Sequence, residues 1–336
     1  MTEAKLTWKV ALLPFLFALL FWASFHPLNL GFLGYVALVP LLVYARLASG
    51  KKAFFVAWLG GAVGCAAAFF WVRYTVPAAP YLLGLYMGLY VALFTSLVRR
   101  FGAMWAPAAW VALEYVRGYL FTGLPWFLVG YTQHDSLHLI QIADLGGVWG
   151  VSLLVVFVNA ALVDGRRAVR WAAAGALAAA YLYGAIRLGT IELADGPKVA
   201  VVQPNIPQDI KLMGLEKPQQ AVENYRKHLD LSLEAAKEKP DLIVWPEASI
   251  YRGIVKSLDG EGGWRETSWM RRLVAPPRET GIPHVIGILV MEDRNGDLVS
   301  FTNSAVLIDP EGRITGRFNK VHRVPFSEYV PYADTI

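Results

Sequence analysis

Leu242-Ile243-Val244-Trp245-Pro246-Glu247 decides how this chain is read, because an apolar run of strand type feeds straight into a carboxylate. Proline between them cannot donate to a sheet ladder, so the glutamate is presented at a strand end. Upstream, residues 198–204 (Lys-Val-Ala-Val-Val-Gln-Pro) read as a buried strand, and 218–239 have the apolar spacing and charged face of an amphipathic helix. Strand, helix and strand in that order imply parallel pairing with a right-handed crossover. Ligands collect beyond the carboxyl ends of such strands, where Gln203-Pro204-Asn205 and Pro246-Glu247 both fall. Downstream, a helix over 264–280, interrupted at Pro276-Pro277, precedes a third strand over 283–290. Asn295-Gly296 turns a hairpin into 299–308, and Asp309-Pro310-Glu311-Gly312 turns it again into 313–318. Lys320 therefore leaves a strand end, 320 − 247 = 73 residues after Glu247, and opens a polar run that reaches Glu328. From the residues alone, Glu247 and Lys320 are either a catalytic carboxylate and cation or a surface salt bridge and a solvated hairpin-end cation.

The rest of the chain is of a different kind. Of its 336 residues 56% are hydrophobic and 17% charged, too apolar for an ordinary soluble protein, and the apolar residues concentrate before about residue 190. Seven stretches there, 8–24, 30–47, 53–73, 80–98, 103–120, 145–163 and 168–186, are long enough to span hydrocarbon at about 1.5 Å per residue. Their connections alternate in charge. Lys5 and Lys9, then Arg46, Lys51 and Lys52, then Arg99 and Arg100, then Arg166, Arg167 and Arg170 mark one side, and the connections between these are nearly free of lysine and arginine. The positive-inside rule makes the basic side, with the N-terminus, cytoplasmic. An odd number of spans then carries everything after the seventh to the outer side, the periplasm in a bacterium. The expected organisation is a transmembrane domain over 1–190 with about seven helices, followed by an extracytoplasmic α/β domain over 191–336. The first span reads as a retained anchor, since no small-residue cleavage site follows it. A net charge of +5 resides in short loops, so no nucleic-acid partner is expected.

Within the apolar half, Gly60, Gly64 and Ala68 recur at four-residue spacing, which lets a neighbouring helix approach closely. Cys65, the single cysteine, sits in that stretch without a base or cation and reads as a packing residue; it also leaves no partner for a disulfide. Glu114 is costly inside an apolar span unless paired, and Arg117 is its expected partner. Residues 122–133, with Trp126 and Tyr131, form a long aromatic outer loop that reads as a lipid-facing cleft or as an interfacial belt. His134 and His138 lack a third ligand, so no metal is expected, and no cofactor motif is present.

Together these segments resemble the carbon-nitrogen hydrolase (nitrilase) superfamily and, within it, the bacterial apolipoprotein N-acyltransferases. Residues 201–208 (Val-Val-Gln-Pro-Asn-Ile-Pro-Gln) are similar to that family's opening strand and loop, Trp245-Pro246-Glu247-Ala248 to its glutamate motif, and 319–331 to its lysine motif. In the apolar half 122–133, Ile142-Ala143-Asp144 and 146–152 are similar too. The resemblance implies a polytopic helical membrane domain followed by an incomplete nitrilase-like αββα sandwich. It implies a Glu-Lys-Cys triad that takes an acyl chain from a phospholipid as a cysteine thioester. The chain then passes to the α-amino group of the S-diacylglyceryl-cysteine of a lipoprotein, so the implied partners are a phospholipid donor, a diacylated apolipoprotein acceptor and the bacterial inner membrane. Glu247 would be general base and acid, Lys320 the oxyanion-stabilising cation and Glu328 its support, with Trp126, Tyr131, Gln203 and Asn205 as substrate contacts.

The sequence departs from the family in two places. The nucleophilic cysteine is expected several dozen residues beyond the lysine motif, whereas 336 − 320 = 16 residues follow Lys320, so the chain is expected to be part of a longer protein and inactive in this form. After the opening strand, relatives often carry a tryptophan where this chain has Leu212. Two other readings compete: a membrane-tethered amidase or nitrilase that uses water as final nucleophile, and a catalytically dead lipid or lipoprotein binder.

Overall fold

The computed structural model describes residues 6–74, 76–207, 217–259, 263–322 and 324. Glu328 and Leu212 lie outside them. The chain divides into two compact units, Met1–Glu192 and Leu193–Ile336.

The first unit is helical: α1 (Trp8–Ala11), α2 (Leu13–Ala23), α3 (Gly34–Ala37), α4 (Val39–Leu47), α5 (Gly50–Ala68), α6 (Ala79–Phe101), α7 (Ala106–Tyr119), α8 (Leu137–Ile140), α9 (Ala143–Asp164) and α10 (Arg167–Thr190). Among the described residues α6, α9 and α10 are long and apolar enough to cross a membrane, and 8–23 and 31–47 are shorter apolar stretches. These helices fit a membrane protein. On α6, Leu82, Leu85, Leu89 and Leu93 are exposed at steps of three or four, a stripe that water penalises and hydrocarbon does not.

The two shorter stretches are broken by proline. Pro14 and Pro40 sit in the first turns of α2 and α4, where a missing N–H costs least. At the second break Asn159 of α9 enters the ladder: its Oδ1 accepts the Leu38 N–H at 2.9 Å and its Nδ2 donates to the Gly34 carbonyl at 2.8 Å. Those two backbone groups are the partners of one helical hydrogen bond, so one buried amide serves both.

Glycine sets how closely the helices pack. A Cβ on Gly60 would lie 2.4 Å from Pro14, and one on Gly64 2.8 Å from the Ala18 Cα, so one face of α5 meets the backbone of α2. Its other face meets α6, where a Cβ on Gly88 would lie 2.5 Å from the Trp58 carbonyl oxygen. Cys65 is buried in the core formed with Phe17, Phe21, Phe69 and Phe94.

Glu114 and Arg117 are both buried and each feels the other's charge, but their closest polar contacts are with other groups. A helical side chain leans toward the preceding turn, and Glu114 accordingly meets Trp110, whose Nε1 donates to Oε1 at 2.7 Å. The same oxygen accepts the Val129 N–H at 2.7 Å, while Arg117 Nη1 lies 3.0 Å from the Met87 sulfur.

The second unit is α/β with a mixed sheet. Its elements are β1 (Val199–Val201), α11 (Pro218–Ala236), β2 (Leu242–Val244), β3 (Ile250–Ser257), β4 (Gly263–Trp264), α12 (Ser268–Thr280), β5 (His284–Arg294), β6 (Asp297–Ile308) and β7 (Ile314–Asn319). β1 pairs parallel to β2. β5 is the centre. Along one edge it pairs in parallel first with β2 and then with β3, and along the other it pairs antiparallel with β6, which carries β7. Ile243, Ile254, Ile286, Ile288, Val290 and Val306 pack with Tyr225 of α11 and Met270, Leu273 and Val274 of α12.

Two sequence readings change here. The helix expected over 264–280 begins at Ser268, capped by Thr267, whose hydroxyl accepts the Met270 N–H at 3.0 Å; Trp264 belongs to β4. Pro276 and Pro277 do not interrupt α12 but lie buried inside it. Proline's fixed φ is helical, and the helix runs three residues further, to Thr280, before left-handed Gly281, φ 69°. The second change is β3, a strand that resumes after Glu247, where proline predicts a strand end.

Candidate active site

Glu247 lies inside an interrupted strand. Val244 pairs with Val285 and Ile250 with Ile288, so 250 − 244 = 6 residues on one side face 288 − 285 = 3 on the other. The ladder runs as far as the Trp245 N–H, which donates to the Val285 carbonyl at 2.8 Å, and resumes where the Ser249 N–H donates to Gly287 at 2.8 Å. Between them Pro246, Glu247 and Ala248 bulge out, with Ala248 at φ 49°. The Ser249 hydroxyl also donates to the Gly287 carbonyl, at 2.8 Å. Opposite the bulge no side chain fits: a Cβ on Gly287 would lie 2.3 Å from the Pro246 oxygen and 2.7 Å from the Glu247 Cα.

Lys320 follows β7. Its N–H donates to the Asn303 carbonyl at 2.8 Å, and its ammonium reaches Glu247 Oε1 at 2.9 Å. Asn303 of β6 lies between the two. Its side-chain amide meets the same Oε1; an ionised carboxylate only accepts, so the amide nitrogen is the donor. By register, Leu289 pairs with Asn303 and Gly287 with Ala305, which puts Gly287 and Asn303 on the sheet face opposite buried Ile286 and Ile288.

A polar brace supports this end of the sheet. Arg317 of β7 donates to Glu292 Oε1 at 2.8 Å, to the Thr302 hydroxyl at 2.8 Å and to Asn319 Oδ1 at 2.7 Å, and Ser304 donates to Asn319 at 2.9 Å. The Ser300 hydroxyl, 2.6 Å from Glu292, and Arg317 hold that carboxyl below its ordinary range. Behind Glu247, buried Trp245 donates to the Ser232 hydroxyl at 2.7 Å and meets the rings of His228 and His284. Burial pushes His284 below the ordinary histidine value, against a smaller opposing effect from its contact with the Ile282 carbonyl.

The other residues singled out in the sequence are distributed over both units. Gln203 and Asn205, both exposed, follow β1, and Asn205 has φ 49°. Trp126 is in the first unit, stacked on Trp71 with centroids 5.0 Å apart and 19° between planes. Nearby Tyr131 is 44% exposed. Asn303 and Gly287 escaped the sequence reading. Asn303 had a signal, as Thr302-Asn303-Ser304 is a polar run directly before the apolar Ala305-Val306-Leu307-Ile308.

Residues 17–161 match the family described as Apolipoprotein N-acyltransferase N-terminal domain, and residues 198–334 match Carbon-nitrogen hydrolase. A Geobacter metallireducens protein named apolipoprotein N-acyltransferase is 32% identical over 343 residues, covering 92% of this chain and 63% of that protein. Over nearly its whole length the chain is similar to the apolipoprotein N-acyltransferases. A protein of the same name from Allorhizobium ampelinum is 36% identical over 66% of this chain and 42% of its own length. Another, from Vibrio cholerae, is 29% identical over 88% and 60% respectively. The chain thus spans less than two thirds of the length of each of these family members.

Proposed function

We propose that the protein to which this chain belongs transfers an acyl chain from a phospholipid, through a cysteine thioester, to the α-amino group of a diacylated lipoprotein. One observation carries the reading: the Glu247 carboxylate and the Lys320 ammonium, 73 residues apart in sequence, meet at 2.9 Å at a strand break and a strand end. A thiol is mostly protonated at neutral pH, so its attack needs a base. Glu247 takes the thiol proton as sulfur bonds to the ester carbonyl carbon, and Lys320 faces the negative charge gathering on the carbonyl oxygen. When the intermediate collapses, the carbon–oxygen bond breaks and the leaving lysophospholipid alkoxide takes the proton back from Glu247. In the second half the lipoprotein amine attacks the thioester, Glu247 accepts its proton, and the departing thiolate recovers it.

Glu328 supports Lys320 in this reading, and Gln203, Asn205, Trp126 and Tyr131 contact substrate. Cys65, the single cysteine of this chain, is buried among aromatic side chains and is not the nucleophile. The alternating loop charges favour seven spans in the bacterial inner membrane, with the N-terminus cytoplasmic and the α/β unit on the outer side. The test reconstitutes the natural full-length protein with a fluorescent phospholipid and a diacylated lipopeptide. Glu247→Gln and Lys320→Ala should each lower the transfer rate by about 100-fold or more. Full transfer by either variant would remove the role given to that residue.

A further inference from the structure

We propose that Asn303 is the positioning residue of this site, holding the Glu247 carboxylate against Lys320 in readiness for the proton it takes. The inference rests on Glu247 being the base. Three observations carry it. The Asn303 amide nitrogen and the Lys320 ammonium share one acceptor, Glu247 Oε1, so the carboxylate is held by two donors from two different strand segments. The Asn303 carbonyl accepts the Lys320 N–H at 2.8 Å, so the same residue fixes the backbone from which the lysine side chain departs. Asn303 sits in the middle of an eleven-pair β5–β6 ladder, opposite Leu289, so its own backbone is fixed by sheet register and not by a loop. Glu247, by contrast, has a side chain 61% exposed on a bulge of three residues. A long, exposed carboxylate samples several rotamers, and a rigid donor restricts it to one.

An amide is required for electrostatic reasons as well. Aspartate has nearly the same shape but brings a second carboxylate to the same oxygen. Two carboxylates at that separation cannot both ionise readily, and one holds its proton to higher pH.

The experiment therefore measures rate against pH for the natural full-length protein carrying Asn303→Asp. The acid limb of kcat/KM should move up by about one pH unit or more. Asn303→Ala should lower kcat by about tenfold or more with the phospholipid KM changed less than about twofold, because it removes orientation and not substrate contact. An acid limb that stays in place in Asn303→Asp, or an Asn303→Ala kcat within about twofold of wild type, overturns the proposal. If Asn303→Asp fails to fold, judged by thermal melting, the alanine variant decides alone. Glu247→Gln is run in parallel: should it remain fully active, the reading of Glu247 as base has failed, and the Asn303 result is then attributed to that failure.

Discussion

Gly287 shows how much of the site rests on a residue without a side chain. Its Cβ position is occupied by the Pro246 carbonyl and the Glu247 Cα, so the bulge lies directly on the β5 backbone. Gly287→Ala must push the bulge outward. A displacement near 1 Å of a catalytic group is enough to cost on the order of 100-fold in rate, and Asn303 and Lys320 would then reach for a carboxylate no longer within hydrogen-bond distance. The expected outcome is a large fall in kcat with the sheet intact by circular dichroism; wild-type turnover would show that the bulge can move freely. His284 gives a prediction of a different kind. Its folded pKa lies below the ordinary 6.5 of the unfolded chain because burial penalises the charged ring. The neutral ring therefore adds stability that is complete above about pH 6.5 and is lost as pH falls toward the lower folded value, where the unfolded chain binds a proton first. His284→Asn should flatten the dependence of Tm on pH below about 6.5, and an unchanged slope would assign the acid sensitivity to other groups. Glu247 and Lys320 are legible in the sequence because proline and two hairpin turns mark where strands stop. Asn303 shows there only as part of a polar run, since the face and partner of a mid-strand residue depend on register, which no single segment encodes.

Individual elements divide in the same way. α11 follows from its apolar spacing, and β1, β2 and β7 follow from short apolar or alternating runs bounded by turn residues, although Val199 and Val201 of β1 are exposed where a buried strand is expected. β3 was hidden because proline and glutamate suggested an end, whereas the chain resumes pairing on the same edge of β5 after three residues. A proline pair usually ends a helix, yet both Pro276 and Pro277 lie buried within α12. In the helical unit the least visible feature is Asn159, one buried amide that completes a backbone hydrogen bond between α3 and α4. Asn159→Leu leaves the Leu38 N–H and Gly34 carbonyl without that bridge in an apolar interior. It should cost about 2 kcal/mol or more, read as a lower melting temperature in detergent. If the variant melts with wild type, the two groups have paired with each other and the amide is dispensable. Gly64→Leu tests the α2–α5 contact: with the Ala18 backbone 2.8 Å from the added Cβ, the helices must separate, and Tm should fall further than for a leucine at exposed Val63.

At the scale of the whole molecule, each unit has its own hydrophobic core, and residues 191–198 between them are exposed and irregular. A protease site inserted at Gly196 should therefore be cut without unfolding either unit. The proposed orientation adds a direction: protease given to intact spheroplasts should cut there, and cutting only after lysis would place the α/β unit in the cytoplasm. Within that unit the role of β5 has a further consequence. One edge of β5 carries the glutamate and the other carries, through β6 and β7, the amide and the lysine. A hairpin slipped by two residues would keep each β6 side chain on its proper face and still bury an apolar core. It would also carry Asn303 about 7 Å along the strand, beyond reach of Glu247. Such a protein would be folded, soluble in detergent and silent, so turnover is also an assay of whether the hairpin paired in the right register during folding.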